Sequence, residues 1–556
     1  MENTDTDVII VGGGPAGLML AIELGRRNIR CILFDEDDST TPNPQANATQ
    51  ARTMEHFRRL GFADEVRAEG MPPDYPTDIA YYTSFSKYEL ARFKLPSSSE
   101  AKELIKGMGG SWSAAEPPHR VSQMYVEKVL QRQVMELASV DLWYRHDVTE
   151  VADHRDHVSA TATSEAGETI ITGKYLVGCD GPRSRVRKTL GISLQGESGV
   201  AREFVGGPMH AVYLRAPHLY DVISGGPAWM HVNINHKRRC FFVSLDGKAE
   251  FVFHPQLKPG EDKDAISETH ARTMFNECMG QEVDIEIISR SSWMAGLTLV
   301  AEKMSEGRIF IAGDAAHLFT PTGGLGYNTA IEDVVNLGWK LAAVINGWGG
   351  SGLLTSYHPE RQPAAVRNTI YAKGFADSLG NFKADPRLEE DSDDGAQLRN
   401  AAGNHYGNHG RSEFNIPGIT FGTRYDGSPI VVGDGTSPPP DQANVYEPTA
   451  CPGGRAPHLW FDRETAKPIS LYDRFGFEFT LLKLDGCREQ EANALHNTAA
   501  DLHIPLSTVS LPGEEARALY GAELALIRPD QIVAWRGNTY NNGVLEAVNG
   551  QDKSTS

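Results

Sequence analysis

The chain has 556 residues, with 53 Lys and Arg against 73 Asp and Glu, giving a formal net charge of −20. That length exceeds one ordinary core, so at least two domains are expected, and the acidic surplus argues against duplex nucleic acid, which calls for clustered basic residues. No apolar stretch approaches the roughly 20 residues that span a bilayer, and the opening residues lack the basic and apolar regions of a secretory signal; the reading is a cytoplasmic protein with neither membrane nor nucleic acid as partner. The six cysteines, Cys31, Cys179, Cys240, Cys278, Cys451 and Cys487, have no metal-ligand or redox spacing, so neither a metal site nor a disulfide framework is expected.

Asp7-Val8-Ile9-Ile10-Val11 is a short apolar strand of the kind buried on both faces of a parallel sheet. Gly12-Gly13-Gly14-Pro15-Ala16-Gly17 follows, and Leu18 to Leu24 reads as the first turns of a helix. In this strand-turn-helix setting Gly12 permits the tight turn, Gly14 lets the backbone approach a pyrophosphate, and Gly17 lets helix and strand pack closely, with the helix N-terminus facing the anion. A second strand, Cys31 to Phe34, ends at Asp35-Glu36, where an acidic side chain can accept from ribose hydroxyls. These features predict a dinucleotide site but do not separate FAD from NAD.

Further along, Pro44-Gln45-Ala46-Asn47 leads into Arg52-Thr53-Met54-Glu55, and Arg120-Val121-Ser122-Gln123 precedes a helix. Tyr175-Leu176-Val177-Gly178-Cys179-Asp180-Gly181-Pro182 reads as a strand ending in an Asp-Gly turn before a basic helix start. Alternating strands follow; Cys240 to Leu245 and Glu250 to His254, joined at Asp246-Gly247, read as a hairpin. Then Arg308-Ile309-Phe310-Ile311-Ala312-Gly313-Asp314 is a strand closing on Gly-Asp, followed by Thr320-Pro321-Thr322-Gly323-Gly324-Leu325-Gly326-Tyr327-Asn328 and a helical run from Asp333 to Leu341. A carboxylate and a set of helix-start amides in this order can hold a polyol chain and a flat heterocycle, which points to a flavin. The acidic run Glu389 to Asp394 reads as a solvated loop, and Asp434 to Pro440 as a Pro-rich connection.

The glycine turn and the Gly313-Asp314 segment, almost 300 residues apart, together resemble the glutathione-reductase-type FAD domain. With the Asp180-Gly181 motif they resemble, more closely, the group A FAD-dependent aromatic hydroxylases, relatives of p-hydroxybenzoate hydroxylase and phenol hydroxylase. The Gly324-Leu325-Gly326-Tyr327-Asn328 wording leans toward the phenol and chlorophenol branch, because many other branches have Gly-Gln-Gly-Met-Asn there. The resemblance implies an α/β fold: an FAD-binding Rossmann domain (1–75, 119–190 and 301–345), an inserted β-sheet substrate domain (76–118 and 191–300), a helical and linker region (346–440), a C-terminal thioredoxin-like domain (441–548) and a flexible tail (549–556).

It also implies the site. Gly12, Gly14, Pro15, Ala16, Gly17, Asp35, Glu36, Gln45, Arg52, Gln123, Asp180, Gly181, Asp314, Gly324, Gly326, Tyr327 and Asn328 would hold FAD. Asp314 would accept from the ribityl hydroxyls, and the amides of Tyr327 and Asn328 would lie near the pyrimidine end of the ring. Gln45 stands where the family often carries an arginine near the phosphates, which leaves less positive charge there. Pro321 would lie against the flavin, and His317 reads as structural. NADH or NADPH would reduce the flavin, O2 would add at C4a, and the hydroperoxide would hydroxylate a small phenolic ring in a homodimer or higher homo-oligomer. His210, Tyr82, His231 and His254 are the candidates to help ionise the phenol, though each also fits an ordinary sheet residue. A flavoprotein that dehydrogenates or epoxidises a nonaromatic substrate, and a noncatalytic flavin-binding protein, stay open as alternatives.

Overall fold

The computed structural model describes residues 5–200, 202–462, 465 and 468–551. In chain order, the elements that position the site are β1 (Thr6–Val11), α1 (Pro15–Gly25), β2 (Cys31–Phe34), α2 (Ala51–Arg59), β3 (Ile79–Tyr82), β4 (Glu89–Phe93), α3 (Gln123–Met135), β5 (Val140–Trp143), β6 (Gly167–Gly178), β7 (Gly207–Arg215), β8 (Met230–Ile234), β9 (Arg239–Ser244), β10 (Glu250–Pro255), α4 (Glu268–Met279), β11 (Glu286–Ala295), β12 (Ile309–Ile311), α5 (Leu325–Ile345), α6 (Tyr357–Gly380), α7 (Asp393–Phe414), β13 (Phe479–Leu484), β14 (Leu506–Leu511), β15 (Leu524–Ile527) and β16 (Val533–Gly537).

The first sheet runs β12-β6-β1-β2-β5 with every one of these neighbours parallel. Parallel strands are covered on both faces, which is why β1 from Val8 onward and all of β2 are apolar and both strands are buried along their whole length. The pairing also brings three remote segments side by side: Val11 lies opposite Gly178, and Gly178 opposite Ile311. The loops after all three strands therefore open at one sheet end, the carboxyl edge where doubly wound sheets bind ligands.

The second sheet has the order β11-β7-β10-β9-β8-β3-β4, antiparallel apart from the β8/β3 pair. The β9–β10 hairpin forms as the alternation predicted, with the Asp246 carboxylate accepting from the amides of Lys248, Ala249 and Glu250 at 2.9 Å each. One face carries α4 through Ala271, Met274 and Phe275. The other packs toward α3, α6 and α7 through Met124, Leu379, Ala402 and Tyr406. A third sheet, β14-β13-β15-β16, pairs its first two strands in sequence parallel and the rest antiparallel. Among the described residues no helix is long and apolar enough to cross a membrane.

Two expectations are corrected here. The acidic run is not simply a solvated loop: Asp393 and Asp394 form the first turn of α7 behind the Ser392 cap, where negative charge complements the helix dipole, and Glu389 accepts from Ser84 and Asn235. The expected tail starts too early at 549. Asn549 is fully buried, its side-chain amide donates to the Trp348 carbonyl and its carbonyl accepts from Gly350, while 552–556 lie outside the described residues.

Candidate active site

The turn between β1 and α1 is shaped by close approach. Gly12 has φ +105°, and a Cβ there would collide with the Cys179 carbonyl at the end of β6; a Cβ at Gly17 would collide with the Gly12 carbonyl. At Gly14 the opposite holds, since a Cβ would meet nothing within 4 Å. Gly14 is also the N-cap of α1, and no side chain caps that helix. Uncapped amides at a helix start over an uncrowded glycine make a cradle for an anion. Pro15 and Ala16 begin the helix, where Pro at the first position costs no hydrogen bond.

Asp35 closes the turn from β2: its carboxylate accepts from the Gly13 amide at 2.5 Å and the Asp37 amide at 2.8 Å. Burial raises its pKa, partly offset by those two amides. Glu36 is exposed beside it.

At the end of β12 the Asp314 carboxylate differs from its neighbours. It has no hydrogen bond or ion pair among the described residues, and it stays solvent-accessible although protein surrounds it closely enough that burial raises its pKa. Exposed to solvent and free of protein donors, the carboxylate is available to accept hydrogen bonds from a ligand. Pro321 is exposed at the start of the following turn. Gly323 and Gly324 take φ +73° and +62°, and Gly324 caps α5 without a side-chain hydrogen bond, leaving the amides of Leu325, Gly326 and Tyr327 unfilled. Gly324 lies close to the loop that precedes α2: a Cβ added there would sit 3.1 Å from the Ala48 methyl. The residues present thus fit FAD: an anion cradle, an unpartnered carboxylate and a second uncapped helix start, all at one sheet end.

Behind this opening the charged side chains are paired with one another. His317 Nε2 lies 2.6 Å from Asp333 Oδ2, which also accepts from the Gly313 amide at 3.2 Å, and Arg361 donates to Asp333 Oδ1 at 2.8 Å. Arg528 of the C-terminal unit donates to Glu360 at 2.6 and 2.9 Å and to Asp530, and Lys340 reaches Glu360 at 2.6 Å. His317, Asp333, Arg361, Glu360 and Arg528 are all fully buried or nearly so. His317 is therefore a support of the Gly313-Asp314 turn, as its motif suggested.

Several expected contacts lie elsewhere. Arg52 is corrected: its guanidinium donates to Glu55, to Gln531 at 2.6 Å and to the Asp530 carbonyl at 2.6 Å, so it is directed into the seam with the C-terminal unit and serves to fasten it. The Asp180 side chain turns away from the cradle to cap a short helix, accepting from Ser184 at 2.6 Å and the Arg185 amide at 2.7 Å. Its backbone and Gly181 stay at the sheet end, next to Gly12. The Asn328 side chain spends all its capacity internally, donating to Ala48 and Gly324 and accepting from Gln50 and Thr53. Tyr327 packs its ring against the first-domain core. Gln123 donates to Gln45 at 3.2 Å and to Glu127 at 2.8 Å, so the two glutamines meet at the start of α3.

Strand parity sorts the substrate-side candidates. Met230, Val232 and Ile234 of β8 face the first domain, so His231 points the other way, its ring stacked on Phe242 at 4.4 Å. Tyr82 belongs to the same outer cluster beneath α4, bonded to Glu89. His210 is on the outer side as well, beside Ser292 at 2.9 Å, in phase with Val212 and Leu214. These three are corrected: they cannot reach a ring held over the flavin. His254 alone shares a face with Val252, between Phe241 at 4.6 Å and Trp293 at 5.7 Å. Its Nδ1 accepts from the Trp293 indole at 3.3 Å, and burial pulls its pKa down to about 3. A neutral ring with Nδ1 accepting carries its proton on Nε2, so His254 is placed as a donor and not as a base. Tyr213, Met230, Phe241 and Trp293 remain partly exposed on this face, with Tyr125 of α3 packed against the same cluster, leaving aromatic surface for a flat ligand.

The FAD binding domain family matches residues 5–371, and the aromatic-ring hydroxylase C-terminal family matches 449–550. The chain belongs to the FAD-dependent aromatic-ring hydroxylases. It is 31% identical to the FAD-dependent monooxygenase apdD of Emericella nidulans over 96% of this chain and 87% of that one. It is 28% identical to a 2,4-dichlorophenol 6-monooxygenase of Delftia acidovorans over 97% and 96% of the two chains. Among solved structures, chromopyrrolic acid-soaked RebC with bound 7-carboxy-K252c superposes with a TM-score of 0.86 at 31% identity, covering 98% of this chain and 99% of that one. The protein is accordingly an FAD-dependent monooxygenase, and the nonaromatic and noncatalytic alternatives are not favoured.

Proposed function

We propose that the protein hydroxylates a phenolic ring held between the inner face of the second sheet and the flavin, with NADH or NADPH as reductant. The carrying observation is the Asp314 carboxylate, without a protein donor among the described residues, at the same sheet end as the Gly-rich cradle, in a chain whose second sheet keeps Tyr213, Met230, Phe241 and Trp293 partly exposed on one face. Bound FAD, once reduced, would activate O2, one atom of which enters the ring. The protein's own residues do the rest. Asp314 accepts from the polyol chain, the amides at the start of α5 face the pyrimidine edge, where reduction places negative charge, and the aromatic wall keeps water from the reacting atoms. The order β14-β13-β15-β16 supports a thioredoxin-like reading of the C-terminal unit; Cys451 and Cys487 are far apart in sequence, which favours packing over redox chemistry.

The test uses FAD-loaded protein, a panel of phenols, both nicotinamides and 18O2. Phenol-stimulated nicotinamide oxidation with label in the product is the expected result. Oxidation without label in any product, or no stimulation by any phenol, overturns the reading.

A further inference from the structure

We propose that Arg120 is a substrate-contacting residue that holds the ionised oxygen of the phenolic ring, so that activation of the phenol is electrostatic. The inference rests on the hydroxylase reading above and assigns the group that reading leaves unnamed.

Arg120 occupies the junction of the two halves of the site. Its backbone pairs with Ala48, and the Asn328 side chain bridges the Ala48 carbonyl to that of Gly324 at the start of α5. Its guanidinium stacks over Trp229 at 4.0 Å, and Trp229, 2% exposed, leads into β8 on the inner sheet face. The side chain thus runs from the flavin loop to the substrate wall.

What it lacks is a partner. Among the described residues the guanidinium makes no hydrogen bond and no ion pair, although burial has pulled its pKa down to about 10. It remains a cation at neutral pH. The nearest acid in its field is Glu413, and that carboxylate is already used: it accepts from the Gly323 amide at 2.8 Å and lies 2.7 Å from His409 Nε2. The more deeply buried Arg52, Arg361, Arg455 and Arg528 each pair with a carboxylate, whereas Arg120 is only partly buried. Arg120 instead offers its five N–H donors beside an aromatic face, next to a loop that would carry the flavin.

The chemistry that satisfies it is an anionic oxygen carried directly on a flat ring. Binding the phenolate over the phenol lowers the phenol's pKa in place, and ionisation raises the electron density at the ring carbon that accepts oxygen. The proton leaves to solvent as the phenolate binds, so no residue has to act as its base. His254, placed as a donor on the same face, is compatible with this arrangement.

The test uses the FAD-loaded full chain with 4-nitrophenol, whose ionised form absorbs in the visible, and 4-nitroanisole, which cannot ionise. Dissociation constants for both, and the absorption of bound nitrophenol across pH, are read for the parent, Arg120→Met and Arg120→Lys. The expected result is that Arg120→Met loses about tenfold or more in the preference for nitrophenol, the scale of one charge-assisted hydrogen bond, and that the bound phenol's pKa moves back toward its solution value. Arg120→Lys should retain part of both, and flavin content should stay at the parent level in all three. An unchanged preference in Arg120→Met, a bound pKa that does not move, or failure of the parent to bind either ring overturns the proposal. Phenol-stimulated nicotinamide oxidation by the parent is measured separately, so failure of the hydroxylase reading is distinguishable from failure of Arg120.

Discussion

Asp314 and Asp333 are 19 positions apart and belong to one loop-and-helix unit, yet their surroundings are opposite. Asp333 is fully buried and meets His317, the Gly313 amide and Arg361; Asp314 meets no protein donor among the described residues and keeps contact with solvent. Their pKa shifts run in opposite directions accordingly. Asp333 is lowered because the charges of His317 and Arg361 outweigh its burial, whereas burial raises Asp314 with little to oppose it. Where a polar group is saturated the protein is built for itself, and where it is left open the protein is built for something else. Arg528 and Arg120 repeat the contrast among the cations.

The largest effect expected from this contrast is at Arg528. Arg528→Met leaves Glu360 and Asp530 buried without their main counter-charge, and removal of one partner from a buried pair costs about 3–5 kcal/mol. Urea unfolding followed by far-UV circular dichroism reads the loss; a change below about 1 kcal/mol breaks the claim that this network supports the fold. Asp314→Ala should do the reverse, leaving the apoprotein's unfolding midpoint close to the parent's while weakening FAD binding by roughly 10- to 100-fold, the scale of losing a hydrogen bond to a charged group. Flavin fluorescence titration checks it, and a destabilised apoprotein with unaltered FAD affinity contradicts it.

Acid sharpens the comparison next. Glu55, Asp333 and Glu360 all titrate below their ordinary values, because neighbouring arginines and, for Asp333, His317 favour the carboxylate. Their contribution is therefore fully present above the unfolded-state values near pH 4 and is lost as pH falls through the lowered folded-state values. The parent and Asp314→Ala should share the same acid limb, and Arg528→Met should begin to unfold at higher pH than either. The smallest effect is expected at His254: His254→Phe should keep full flavin content and change KM for a phenol by no more than a few-fold, since the ring donates but does not abstract a proton.

Much of the cofactor edge is legible in the amino-acid sequence. The Gly12 to Gly17 turn, the Asp35 stop and the Gly313-Asp314 strand end are short-range patterns, and each appears where its spacing puts it. What the chain does not write locally is the destination of a long side chain. Arg52 lies in a recognisable segment, but two of its three partners are 478 and 479 positions away, and nothing in its neighbourhood names them. His210, His231 and Tyr82 mislead for a different reason: strand parity tells which residues share a face but not which face meets the first domain, and that depends on where α4 and α6 dock. Parity together with the apolar run Met274-Phe275 of α4 holds the signal that could separate His254 from the others. Arg120 stands in a recognisable segment too, yet its sequence neighbours assign it no role, because its meaning comes from a missing partner.

The adjacency of β1, β6 and β12 also sets a timetable for biosynthesis. The three loops that meet at the cofactor edge leave the ribosome near positions 12, 180 and 314, and the arginine that braces the helices behind them emerges only at 528. A nascent chain can fold its opening strand and helix early, but it has no complete seat for the nucleotide until the segment at 314 has emerged, and no brace behind that seat until translation is almost finished. Vitamin uptake should thus be a late event, and truncated products should accumulate colourless.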